Sequence, residues 1–119
     1  MPRNMSFAMT TDQFRDRSKD VTRRFGWWFL TPGDQVMGVE KSMGLKKGEK
    51  INRLGLIEIV STGPEPLNAI TPADVRREGF PNWTPEQFIT MLVNYYKVDP
   101  AETVNRIEFR HVKQDKTND

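Results

Sequence analysis

The feature that most limits the fold of this chain is how short its apolar runs are and how unevenly they are broken. Prolines, glycines or charged residues interrupt each run within a few positions. Such a chain cannot supply long amphipathic helices for a bundle, and it lacks the regular strand–helix–strand rhythm of a parallel sheet. No stretch approaches the roughly 20 apolar residues needed to cross a bilayer. What remains is an α+β architecture: four or five short strands interrupted by three helices, in a small mixed barrel or sheet.

The clearest strand is residues 54–61, where Leu56, Ile57, Ile59 and Val60 suit a pleated surface. Gly63-Pro64-Glu65-Pro66 is expected to break it. Shorter strands are expected at residues 6–9, 35–40 and 49–53, and a last one at 103–112, which alternates polar and apolar. Thr10 with Gln13 matches a capping box and predicts a polar helix over 12–19, with Phe14 as its one large anchor. Thr71-Pro72-Ala73-Asp74 and Thr84-Pro85-Glu86-Gln87 open two more helices. In each, threonine can cap free amides and proline fits the first helical position. Gly79 and Pro81 end the first near Glu78. The second runs to about Lys97, with Phe88, Met91 or Leu92, and Tyr95 or Tyr96 spaced for one apolar face. One domain over residues 6–112 follows, with 1–5 as a flexible lead and 113–119 as a disordered polar tail.

Composition then narrows the chemistry. The 119 residues include no cysteine, which excludes a disulfide scaffold, a thiolate metal site and a cysteine nucleophile. The one histidine, His111, cannot make a His-rich metal site; it reads as structural, on the last strand. No metal and no cofactor are expected. Acid–base chemistry must come from Lys, Asp, Glu or Tyr. The net charge of +2 is unevenly placed: residues 1–53 carry 11 Lys and Arg against 6 Asp and Glu, and residues 54–119 carry 7 against 10. An uneven balance marks either a basic face for anions or a solvated surface. Lys46 and Lys47, in the loop from Gly44 to Gly48, lack the spacing of a nucleoside triphosphate loop. The N-terminus leads into no apolar block of a secretory signal, so a cytoplasmic protein is expected.

The densest polar cluster is Arg15, Arg17, Lys19, Thr22, Arg23 and Arg24. A lysine beside a threonine hydroxyl can take the hydroxyl proton when desolvated, or bind an anion when charged. Lys19-Asp20-Val21-Thr22-Arg23-Arg24 resembles the Lys-x-x-Thr-x-Arg signature of the ASCH domain family, among the PUA-like barrels. The likeness extends over roughly residues 6–112: Phe7 and Met9, Pro32-Gly33-Asp34, Gly48-Glu49-Lys50, Ile70 to Asp74, Glu78-Gly79-Phe80 and Ile107-Glu108-Phe109 fall in the family's order.

The resemblance implies an α+β fold, a small PUA-like β-barrel of about five to six strands with two to three peripheral helices, and a basic cleft for RNA or a modified nucleoside or nucleotide, in a protein of bacterial or phage type. One branch of the family consists of N4-acetylcytidine amidohydrolases with a threonine nucleophile, an activating lysine and a proton-shuttling glutamate. By that match Thr22, Lys19 and Glu78 would be catalytic, and Arg24 would bind ligand. Other members of the family are linked to RNA binding and some to RNA cleavage, so the resemblance also allows an RNA-cleaving activity, and the alternative to an enzyme is a non-catalytic RNA-binding or protein-interaction module. Two positions depart from the pattern: Arg17 replaces a common glycine, and Arg23 an apolar or small residue. Their added charge suits a phosphate-bearing ligand. Trp28 and Trp83 adjoin motif segments and are the expected aromatic walls of the cleft. The chain is expected to be a monomer.

Overall fold

The computed structural model describes residues 2–41 and 45–113. Gly44 of the expected basic loop and the expected tail beyond Lys113 lie outside the described residues. Strands β1 (Arg3–Ser6), β2 (Val21–Arg24), β3 (Gln35–Val39), β4 (Arg53–Pro66) and β5 (Thr103–His111) form one sheet in the order β1-β3-β4-β5-β2. Only β1 against β3 is parallel. The sheet curls into a half-barrel, and helices α1 (Thr11–Arg15), α2 (Pro72–Arg77) and α3 (Pro85–Tyr96) surround it. β1 and β2 are its two edges.

Three expectations for the first half change. Residues 3–5, expected to belong to the flexible lead, join Ser6 in β1 because Arg3 to Ser6 register against Val36 to Val39. The opening strand therefore comes earlier, and Ala8–Thr10 form a 3-10 turn. The Thr10 capping box does not form, since the Thr10 side chain makes no cap bond. α1 stops four residues short of Lys19, with Arg17 just past its end at φ +66°, the left-handed position that glycine usually fills. Holding a non-glycine residue there costs about 1 kcal/mol.

The proline break after residue 61 is also absent: β4 continues through Gly63-Pro64-Glu65-Pro66 and stays paired with β5. Its registered pairing with β3 ends at Glu58, so beyond that point the missing N–H of Pro64 and Pro66 removes no bond to a second strand. A register shift between Ile59 and Ser61 lets this long strand bend. Residues 49–52, expected to be a strand, lie outside any strand. Both Thr-Pro helix starts hold: Thr71 accepts from the Asp74 amide, and Thr84 and Gln87 form a full capping box.

The core has two parts. Inside the half-barrel, Met5, Phe7, Phe14, Ile57, Ile59 and Phe109 pack together. Gly38 admits the Phe14 ring, because a Cβ there would lie 2.3 Å from its Cζ. Under the helices, Leu67, Val75, Phe88, Leu92 and Val104 form the second part. Among the described residues no helix is long and apolar enough to cross a membrane.

Candidate functional site

Local rules place Glu78. α2 is six residues long and ends in a Schellman cap: the Gly79 amide donates to the Arg76 carbonyl and the Phe80 amide to that of Val75. Gly79 sits at φ +101°, and Glu78 is left as the last α-helical turn's cap residue. The Glu-Gly-Phe segment is therefore a helix stop with a carboxylate on it. The chain entering β2 is tied to this stop, because the Asp20 amide donates to the Arg77 carbonyl at 2.9 Å and the Arg77 guanidinium returns to the Asp20 carboxylate. These bonds carry Lys19 to Glu78, across 59 positions of sequence.

Lys19 and Glu78 are each only 2% exposed. The Lys19 ammonium donates to Glu78 Oε1 at 2.5 Å and to the Glu78 carbonyl at 3.1 Å. Burial pulls the Lys19 pKa below its ordinary value, and the attraction of Glu78 only partly offsets this. The other carboxylate oxygen of Glu78 accepts from Arg23 at 3.0 Å. Arg23 also holds Glu65 at 2.7 Å and Asp74 at 2.5 Å. Burial alone would weaken the Arg23 charge; Glu78, Asp74 and Glu65 outweigh it and raise the pKa further.

A second arginine joins this network for a topological reason. Arg23 stands opposite Arg106 in the β2–β5 register, a like-charge pair that would be unfavourable alone. Asp74 bridges them, accepting from Arg106 at 2.7 and 3.0 Å as well as from Arg23. The hydrogen bonds from Arg106 and Arg23 hold the Asp74 carboxyl well below the usual carboxylate range, against the opposing effect of burial.

Beside this network lies a cavity of about 430 Å³, between the end of β1 and strand β2. Lys19, Thr22, Arg24 and Glu78 line its polar side. Strand alternation puts Thr22 and Arg24 on one face, and Thr22 Oγ1 accepts from Arg24 Nε at 3.0 Å. The Arg24 guanidinium rests over the Phe7 ring at 4.8 Å. Burial works against its charge, with Tyr96 and Glu78 favouring it. The terminal nitrogens of Arg24 have no hydrogen-bond partner among the described residues. The opposite side is apolar and aromatic: Phe80, Phe88, Met91, Leu92, Tyr95 and Tyr96.

The sequence-derived site is thus partly assembled. Lys19, Thr22, Arg24 and Glu78 share one cavity, and Arg23 borders it with its charge already held by three carboxylates. Arg17 does not reach it. It is exposed beyond α1, at a left-handed backbone position, and lines a different cleft. Trp28 is 55% exposed on the loop after β2 and is not among the residues lining the cavity. Trp83 stacks behind Phe80, at 4.5 Å between centroids, so Phe80 forms the wall instead. The rest of the wall comes from one face of α3, whose Phe88, Met91 and Tyr95 spacing is visible in sequence but reads equally as core. Among the described residues no cluster of three His, Cys, Asp or Glu could hold a metal ion.

A curled five-strand sheet with a polar cavity at its edge, built on a lysine, a threonine and a glutamate, defines a small open-barrel protein with a buried ionic site. The fold is that of ASCH domains, of PUA-like type. The ASCH domain of Lactobacillus crispatus JV V101 superposes with a TM-score of 0.66 at 13% identity, over 92% of this chain and 78% of that one. Protein EF3133 of Enterococcus faecalis V583, assigned to DUF984, superposes with a TM-score of 0.64 at 14% identity, over 94% and 77%. No protein-family model matches the sequence, and no curated protein matches it.

Proposed function

We propose that the cavity takes an N-acylated nucleoside of the N4-acetylcytidine type and hydrolyses its amide. The supporting observation is the meeting of buried Lys19, Glu78 and Thr22 in one cavity whose facing wall is aromatic. Its volume falls in the usual range of small-molecule clefts, roughly 300–1,000 Å³. A heterocycle suits the side made by Phe80, Tyr95 and Tyr96, and the amide the side made by Thr22 and Arg24.

The chemistry follows from the ion pair. Moving one proton along the 2.5 Å Lys19–Glu78 bond yields a neutral amine and a carboxylic acid, that is, a base and an acid together. Thr22 Oγ1 attacks the acyl carbon while its proton passes to Lys19. The oxyanion that forms is stabilised by Arg24. The C–N bond then breaks, the leaving amine takes the Glu78 proton, and Lys19 returns its proton to Glu78. Water attacks the threonine ester by the same route in reverse, releasing the acid and restoring Thr22.

Arg23 is saturated by carboxylates and Arg17 lies elsewhere, so an uncharged nucleoside suits this cavity better than the phosphate-bearing ligand expected from those two residues. Incubation with N4-acetylcytidine, read as cytidine and acetate by chromatography, tests the reading. Wild type should turn over, Thr22→Ala should lose at least 100-fold, and Thr22→Ser should keep activity. Absence of turnover across a panel of acylated nucleosides overturns the hydrolytic reading, and saturable binding without product would support a binding module instead.

A further inference from the structure

Arg15 and Arg17, part of the basic cluster in the sequence, stand outside the cavity and have no role there. With His111 and Lys113 they line a second cleft of about 450 Å³, floored by Phe14, Leu54 and Leu56. No carboxylate is among its lining residues. Arg15, Arg17 and Lys113 form no ion pair among the described residues, whereas Arg23, Arg77, Arg106 and Arg110 are each held by a carboxylate. Three cations from two separate chain segments therefore face one concave surface with no ion-pair partner among the described residues.

Arg17 supplies a second, independent observation. Its backbone has the left-handed φ of +66° at the position just past α1, where glycine would sit without strain. An arginine stands there although its side chain makes no hydrogen bond or ion pair among the described residues. A strained residue that gains nothing within the fold points to a role outside it. The base of the cleft is rigid: His111 Nε2 donates to the Lys19 carbonyl at 2.9 Å, and its ring packs edge-on against Phe14 and Phe109.

We infer that this cleft is a phosphate-binding site, with Arg15, Arg17 and Lys113 as its cationic groups. It is separate from the nucleoside cavity, and its occupant is either a free phosphate group or a phosphodiester of a single RNA strand. Arg15 and Arg17 can engage phosphate oxygens with two donors each, and Lys113 acts as a point charge. The inference does not depend on the hydrolytic reading of the cavity.

The test is binding by wild type and by Arg15→Gln/Arg17→Gly/Lys113→Gln, a variant whose glycine relieves the backbone at 17 and so keeps the fold. Inorganic phosphate is titrated with the amide resonances of residues 15, 17 and 113 as readout, and a labelled ten-nucleotide oligouridylate is titrated by anisotropy from 50 to 200 mM salt. With a strand as occupant, both the tightness and the salt dependence of the oligonucleotide fall in the variant, the log–log slope by about 2 for three contacts at roughly 0.7 each. Local shifts with phosphate, lost in the variant, with no oligonucleotide binding assign the site to a free phosphate group. Absence of a response to either probe, or identical behaviour of wild type and variant, overturns the inference. These readouts need no turnover, so a failed deacylation assay leaves them decisive.

Discussion

Replacing Glu78 by glutamine removes the charge shared by two buried cations, Lys19 and Arg23, of which Arg23 keeps Asp74 and Glu65 as partners and Lys19 keeps no carboxylate. The substitution is nearly isosteric and keeps the Glu78 carbonyl that accepts from Lys19, but it removes the one carboxylate bonded to the Lys19 ammonium. Removing one partner of a buried pair costs about 3–5 kcal/mol, because the remaining charge is left in a poor dielectric. Lys19 has a second route, which is to lose its proton. Neutralising a lysine at pH 7 against an ordinary value of 10.5 costs about 4.8 kcal/mol, and at pH 9 about 2 kcal/mol. The smaller of the two costs sets the loss, so Glu78→Gln should be destabilised by about 3–5 kcal/mol at pH 7 and by about 2 kcal/mol at pH 9.

The sign follows from proton counting. When Lys19 is neutral in the folded variant and charged in the unfolded chain, the unfolded state binds more protons, and stability rises with pH. The slope approaches 1.4 kcal/mol per pH unit between the lowered folded pKa and 10.5. Urea unfolding followed by circular dichroism at pH 6, 7, 8 and 9 measures this directly. A further Lys19→Met change in the Glu78→Gln background should remove the pH-dependent part. A loss below 1 kcal/mol at pH 7, or one that is flat with pH, would refute the claim that Lys19 is a buried charge held by Glu78.

Other outcomes follow from the same contacts. The Asp74 carboxyl is held low by Arg106 and Arg23, so its contribution is full above the ordinary value of 3.8 and is lost as pH falls below it; Asp74→Asn should be less stable at pH 7 and show a shallower acid loss between pH 4 and 2 in the same unfolding assay. Gly38→Ala should destabilise by about 1–3 kcal/mol in thermal unfolding, because the added methyl meets the Phe14 ring in a packed core. Thr84→Ala should cost about 1 kcal/mol by removing the cap of α3, as read by thermal unfolding. In the deacylation assay, kcat/KM should fall as pH rises through a value below 10.5, the burial-lowered pKa of Lys19, because the one proton shared by Lys19 and Glu78 is then lost; a limb at or above 10.5 would count against the buried pair as the acid–base unit.

Local chemistry was legible in the chain where it acts over a few residues. The Thr-Pro helix starts at 71 and 84 and the stop at Gly79 are short-range hydrogen-bond patterns, and all three stand in the structure. The apolar alternation of residues 103–112 likewise gave β5 almost to the residue. Two of the misread strand segments have one cause in common. Arg3–Ser6 becomes a strand because β3 lies beside it, and Gly63 to Pro66 stay extended because β5 pairs with them along an otherwise open edge. Neither partner is near in sequence, so neither effect has a local signature.

The site divides the same way. Sequence by itself limited which chemistry is available: without cysteine and with one histidine, acid–base groups had to come from Lys, Asp, Glu or Tyr, and the resemblance carried by Lys19 to Arg24 singled out Lys19, Thr22 and Glu78 and indicated the ASCH-type fold. Only tertiary structure decided what each charge does. Arg17, Arg23 and Arg24 look alike as letters in one basic run, yet Arg24 faces the cavity, Arg23 is bound by three carboxylates from β4 and α2, and Arg17 turns to a second cleft. The physical reason is that a charge's role depends on the dielectric and the partners around it. Those are set by groups such as Glu78 and Asp74, more than 50 positions away along the chain.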